Sequence, residues 1–325
     1  MREITFADAL VEALTEEMRR DDRVFIMGED VGRFGMIYVA RPSLWEEFGD
    51  ERVRDTPISE NAIIGFALGA SITGMRPVAD IMFCDLMAVA MDQIVNQTAK
   101  IRYMFGGDIK VPLVIHSSLG GLRNAAAQHS QSLESWFTHI PGLKVVLPST
   151  PSDAKGLLKT AIRDDNPVLF FGHQQLMHIK GPVTEEELLI PFGMADLKRE
   201  GNDVTLVTYS LMVHKALAAA EELEKQDIHV EVIDLRTLNP WDKKTVLDSV
   251  EKTGRLLIVH QATTTSGFGA EIAATLAREG FEFLIGPIRR LGGLDVPVPF
   301  SPELENFVIP NEQKIVKEVI SMVEA

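Results

Sequence analysis

Two short stretches of the chain carry residues whose types and spacing could do acid–base chemistry. In Asp55-Thr56-Pro57-Ile58-Ser59-Glu60-Asn61, Pro57 ends an extended segment and Ser59 is placed to cap a following helix. Glu60 then falls in the first helical turn, where the positive end of the helix dipole favours a carboxylate. Such a group can hold a proton on a ligand, or it can serve helix stability alone; the residue types leave both readings open. The second stretch is Arg123-Asn124-Ala125-Ala126-Ala127-Gln128-His129-Ser130-Gln131-Ser132, which follows Gly120-Gly121. A histidine flanked by Gln and Ser suits a polar pocket better than a dry core, and imidazole exchanges a proton near neutral pH. A satisfied structural histidine is the alternative.

Strand-like and helix-like segments alternate around these stretches. Thr5 caps a helix predicted over 5–20, with Asp8 three residues on, and a strand follows over 24–27. A helix over 59–74, a strand over 77–83 and a long amphipathic helix over 88–105 come next. Strands over 111–117, 143–148 and 167–171 then alternate with helices over 130–139 and 152–163. Short apolar strands separated by helices predict an α/β fold, a parallel sheet covered on both faces. In such sheets ligands bind in loops at the carboxyl ends of the strands, where the His129 loop falls. Gly65, Gly69 and Gly74 along the 59–74 helix would let another backbone approach, inside the chain or across a subunit interface. A break from Lys180-Gly181-Pro182 to Pro191-Phe192-Gly193 divides two predicted domains, 1–182 and 192–325. In the second, strands over 204–209, 229–234, 255–260 and 287–291 alternate with helices over 213–225, 241–252 and 268–279. The break could instead be a surface excursion of one large domain.

Composition narrows the function classes. The 325 residues carry a net charge of −15, which repels polyphosphate backbones and argues against a nucleic-acid partner. The same charge would suit a basic protein partner or simply solubility. Cys84 is the only cysteine, compatible with a reducing compartment. The first twenty residues mix acids and bases without an apolar signal core, so a cytoplasmic location is expected. The longest uncharged apolar run, 62–75, is too short to span a bilayer. No zinc spacing, Walker-type loop or Gly-x-Ser-x-Gly elbow occurs, and Gly267-Phe268-Gly269 is too short for a dinucleotide fingerprint. If the chain is an enzyme, something else must hold its phosphate or metal.

The chain resembles, over essentially its whole length, the β subunits of the thiamine-diphosphate-dependent first components of pyruvate, acetoin and branched-chain 2-oxoacid dehydrogenase complexes. The matching segments include Gly28-Glu29-Asp30-Val31, Asp55 to Glu60, Gly74-Met75-Arg76-Pro77, Met91-Asp92-Gln93-Ile94, Ala127 to Ser132 and Arg163-Asp164-Asp165-Asn166-Pro167. Further on, Gly267-Phe268-Gly269-Ala270-Glu271 and Val296-Pro297-Val298-Pro299-Phe300-Ser301-Pro302 match as well. The resemblance implies a pyrimidine-binding domain, then a transketolase-like C-terminal domain, in an α2β2 heterotetramer. It also implies that the α subunit holds Mg²⁺ and the cofactor's diphosphate; the Gly-Asp-Gly motif of that site is absent from this chain. Tyr103-Met104-Phe105-Gly106-Gly107 and the stretch 177–205 point to the pyruvate and acetoin branches rather than the branched-chain one. A non-catalytic assembly subunit is the runner-up.

By the same resemblance Glu60 hydrogen-bonds a ring nitrogen of the aminopyrimidine and favours the imino tautomer that deprotonates the thiazolium carbon. His129 would face the substrate and the lipoyl group of a lipoyl-bearing acyltransferase. Glu29, Ile58, Ser59 and Met82 would line the cofactor pocket. Leu86 stands where relatives usually place Phe or Tyr against the pyrimidine, a departure that removes stacking. Leu113, Ala161, Ile162, Asp164 and Asn166 match a potassium site of some relatives.

Overall fold

The computed structural model describes residues 1–32 and 42–324. The chain forms two compact units, Met1–Leu119 with Trp136–Phe192, and Gly120–Ser135 with Gly193–Ala325. The second unit therefore includes a segment that lies within the first predicted domain. Residues 33–41 of that domain lie outside the described residues.

In chain order the first unit begins with β1 (Arg2–Thr5), α1 (Phe6–Arg20), β2 (Val24–Gly28), α2 (Pro42–Phe48) and β3 (Val53–Asp55). Next come α3 (Glu60–Ile72), β4 (Arg76–Phe83), α4 (Ile101–Met104) and β5 (Val114–Leu119). After α5 (Glu134–Thr138), whose first two residues belong to the second unit, follow β6 (Lys144–Val146), α6 (Pro151–Arg163), β7 (Val168–His173) and β8 (Lys180–Val183). Strands run side by side as β6-β7-β5-β4-β2-β3, every neighbouring pair parallel, and β1 pairs antiparallel with β8. The central strands β2 and β5 are buried along their whole length, as a sheet covered on both faces requires.

Helix α1 starts as its sequence predicts. The Thr5 hydroxyl accepts from the Asp8 N–H at 3.1 Å and donates to the Asp8 carboxylate at 2.6 Å. Its apolar stripe, Phe6, Leu10, Ala13 and Leu14, packs toward α6. The buried Glu17 on the same face meets Arg163 at 2.6 Å, which compensates its desolvation.

Two predicted helices differ from the structure. The 88–105 segment is a 3-10 turn over Cys84–Ala90, a π-helical stretch over Asp92–Thr98 and then the short α4. The break lies where the turn at Gly142, with φ 99°, meets Ala99; a Cβ there would stand 2.0 Å from the Ala99 carbonyl oxygen. Helical periodicity is a local signal, whereas this contact comes from a residue remote in sequence. The 130–139 segment is helical only over Glu134–Thr138, so His129 lies in a loop. In α3, a Cβ at Gly65 would stand 3.4 Å from the Gln93 side chain, while nothing comes within 4 Å of a Cβ at Gly69. Packing among the described residues therefore requires glycine at neither position.

The second unit holds β9 (Asp196–Arg199), β10 (Val204–Thr208), α7 (Leu211–Glu224), β11 (Val230–Asp234), β12 (Thr237–Asn239) and α8 (Lys243–Thr253). It continues with β13 (Leu256–Thr263), α9 (Gly269–Glu279), β14 (Arg289–Gly293), α10 (Pro302–Val308) and α11 (Glu312–Val323). Its sheet runs β14-β13-β10-β11-β9, parallel except for the edge strand β9. Among the described residues no helix is long and apolar enough to cross a membrane.

Candidate active site

In the first unit the carboxyl ends of β2, β3 and β4 converge. The parallel register sets Gly28 beside Asp55 on one side and beside Asp80 on the other. The Thr56 N–H donates to the Gly28 carbonyl at 3.0 Å, and the Gly32 N–H donates to the Asp55 carboxylate at 2.6 Å. Asp55, which the sequence reading left without a role, therefore ties the loop after β2 to the loop that leads into α3. Asp30 adopts φ 54°, a conformation Asp tolerates better than most residues. The two loops carry Glu29 and Glu60.

Burial, followed by the neighbouring charges of Asp30 and Glu60, pushes the Glu29 carboxyl above the usual glutamate range. Glu29 and Glu60 are thus near enough to feel each other's charge, although 30 residues of chain separate them. Glu60 is the first residue of α3 and half-buried. Ser59 occupies the N-cap position, but its hydroxyl makes no capping hydrogen bond, contrary to expectation. Its carbonyl accepts the first helical bond, from the Ile63 N–H at 2.9 Å. Ile58, two residues before Glu60, is an apolar side chain 70% exposed. Met82, at the end of β4, and Leu86, in the 3-10 turn packed on α3, are half-buried. All six predicted pocket residues belong to the first unit. Beneath them the Asp80 carboxylate meets His116 Nδ1 at 2.6 Å, both 1% exposed, a pair the sequence reading missed. An acid inside an otherwise apolar strand was its only signal.

His129 belongs to the second unit and is half-buried. Its loop is closed at the base by the Gly120 N–H donating to the Gln131 carbonyl at 2.9 Å. At the far end the Tyr209 hydroxyl donates to the Glu134 carboxyl at 2.8 Å. Burial pushes that carboxyl above the usual glutamate range and, with the Glu134 charge adding, pushes the tyrosine hydroxyl well above its own.

The five residues matched to potassium are also gathered, around the end of α6 and the approach to β5. The Arg76 guanidinium donates to the Ile162 carbonyl at 2.8 Å and the Asp164 carbonyl at 2.7 Å. Leu113 accepts from the Val168 N–H at 2.9 Å, and Ala161 from the Asp164 N–H at 3.2 Å. Arg102 donates to the Asn166 side-chain oxygen at 2.5 Å, and Lys144 pairs with the Asp164 carboxylate. Neutral oxygens of this kind fit a hard cation, and each carbonyl keeps one lone pair. The surrounding charge fits less well, because Arg76, Arg102 and Lys144 already occupy the other positions.

Residues 2–180 match the transketolase pyrimidine binding domain family and residues 193–315 the transketolase C-terminal domain family. The chain is 46% identical over 317 residues to the 2-oxoisovalerate dehydrogenase subunit beta of Bacillus subtilis, covering 97% of each chain. It is 47% identical to the acetoin:2,6-dichlorophenolindophenol oxidoreductase subunit beta of Cupriavidus necator, covering 97% of this chain and 96% of that one. It is 45% identical to the pyruvate dehydrogenase E1 component subunit beta of Rickettsia felis, covering 98% and 97%. Among solved structures, an inactive β4 tetramer of a split-gene transketolase shares the fold with a TM-score of 0.81 at 23% identity, covering 99% of each chain. A half-buried carboxylate, a second acid beside it and an exposed apolar side chain suit an aminopyrimidine, which needs a hydrogen-bond partner and a hydrophobic wall. The chain belongs to the transketolase-like family of dehydrogenase β subunits, whose pyrimidine-binding domain marks it as thiamine-diphosphate-dependent.

Proposed function

We propose that the chain is the β subunit of a pyruvate or acetoin dehydrogenase first component and works only in an α2β2 heterotetramer. When bound, thiamine diphosphate supplies the electron sink for cleaving a bond next to a carbonyl. The Glu60 carboxylate holds the proton on the pyrimidine ring nitrogen, and Glu29, Ile58, Ser59, Met82 and Leu86 line that ring's surroundings. The observation that carries this reading is that the loops carrying Glu29 and Glu60 leave the adjacent carboxyl ends of β2 and β3, where Gly28 lies opposite Asp55 and accepts from the Thr56 N–H, inside a pyrimidine-binding domain. The α subunit holds Mg²⁺ and the diphosphate in this proposal. His129 donates a proton to the lipoyl dithiolane of an acyltransferase component as the acetyl unit is transferred. The domains run 1–182 and 192–325, and the location is cytoplasmic.

Similarity to the 2-oxoisovalerate relative supports a second reading, cleavage of branched-chain 2-oxoacids. Both readings are tested by reconstituting the chain with an α-type chain and measuring thiamine-dependent reduction of an artificial acceptor with pyruvate, acetoin and 2-oxoisovalerate in turn. Turnover of 2-oxoisovalerate alone would replace the first reading with the second, and no turnover of any of them would remove both. Potassium at the Leu113, Ala161, Ile162, Asp164 and Asn166 oxygens is part of the proposal. Equal melting temperatures in potassium and sodium salts at matched ionic strength would remove it.

A further inference from the structure

The loop that carries His129 is strained in a regular way. Leu122, Asn124 and Ala126 have φ of 70°, 56° and 58°, the left-handed region that Leu and Ala adopt only when their surroundings impose it. Left-handed residues at alternate positions turn neighbouring N–H groups to one side, and such a concavity takes an anion. The anion is supplied by the same chain. Glu305, in α10 and 1% exposed, accepts from the Leu122 N–H at 2.7 Å and from the Asn124 N–H at 3.1 Å, one through each carboxylate oxygen. The approach needs glycine next door, since a Cβ on Gly121 would stand 2.9 Å from the Glu305 carboxylate and 2.9 Å from Ile309. A carboxylate this deeply buried stays in place only when it is hydrogen-bonded, so the loop and Glu305 depend on each other.

We propose that Glu305 is the positioning residue of the His129 loop: its carboxylate fills the concavity formed by residues 122–124 and so sets the backbone that presents His129. The proposal rests on the reading of His129 as the residue facing the lipoyl group, but its first readout does not. In the reconstituted complex, Glu305→Gln keeps the side chain's size and turns an amide NH₂ toward one of the two N–H donors. Exchange of the amide hydrogens over 122–129 should rise about tenfold or more, the scale of losing a charge-assisted hydrogen bond. Acetylation of lipoamide should fall by a similar factor, and reduction of an artificial acceptor by less. Gly121→Ala disturbs the same contact from the loop side and should reproduce the exchange pattern. Glu305→Gln should add nothing to the loss in a His129→Ala background, because both changes act through one group.

Unchanged exchange over 122–129 in both variants would overturn the proposal, and so would exchange raised evenly through the second unit. Local exchange with unimpaired acetyl transfer would uphold Glu305 as the loop's anchor and remove the lipoyl role of His129 instead.

Discussion

Glu60→Gln separates chemistry from helix stability, because the two losses differ greatly in size. The structure puts this carboxylate in the first turn of α3, half-buried, with Glu29 close enough to feel its charge. As a helix-terminal charge it contributes about 0.3–1 kcal/mol. Removing it should therefore lower the melting temperature by no more than about 4 °C in a domain of this size. Part of that loss is offset, because the neutral amide relieves Glu29 of a neighbouring negative charge and should lower the Glu29 carboxyl toward its ordinary range. As the partner of a pyrimidine ring nitrogen, by contrast, the charged group is worth about 3 kcal/mol in the transition state, a hundredfold in rate. The assay is exchange of the thiazolium-carbon proton in the reconstituted complex, run beside a thermal melt. A hundredfold slower exchange with a nearly unchanged melt is the expected outcome. Exchange within severalfold of the parent would show that Glu60 is a helix-stabilising carboxylate and nothing more.

His129→Ala should slow acetylation of lipoamide by about a hundred- to ten-thousandfold while reduction of an artificial acceptor falls far less; an equal fall in both assays would move His129 from lipoyl transfer to substrate binding. Without an α-type partner the chain should bind Mg²⁺–thiamine diphosphate poorly, and calorimetry showing micromolar binding to the chain alone would sink the divided site. The second unit should lose stability in mild acid, because burial pulls the His260 imidazole from 6.5 down to about 4. Its stabilising contribution is fully present above pH 6.5 and is lost as pH falls toward about 4, amounting to about 3 kcal/mol. A melting curve of His260→Gln that keeps the parent's full slope between those values would rule this out.

Local patterning made much of the protein legible in its amino acids. The alternation of apolar strands and helices over most of the chain, the Thr5 cap and the placing of Glu60 in a first helical turn depend on neighbours three or four residues away, and the structure keeps these. The purpose of the Gly267-Phe268-Gly269 segment is not visible in its residue types. Cβ atoms at Gly267 and Gly269 would fall 2.5 and 2.7 Å from the His260 ring, so these glycines make room for a buried imidazole. What only tertiary structure decided shares one physical cause, contacts between residues remote in sequence. Parallel pairing of β2 with β3 sets the loops carrying Glu29 and Glu60 side by side, and the Gly142 turn packs against Ala99 in the segment predicted as one long helix. Glu305 and Tyr209 draw residues 120–135 into the second unit, although the chain reaches them in the middle of the first. Periodicity reports which face of an element is apolar; it carries no information about which distant carboxylate will accept a loop's N–H groups.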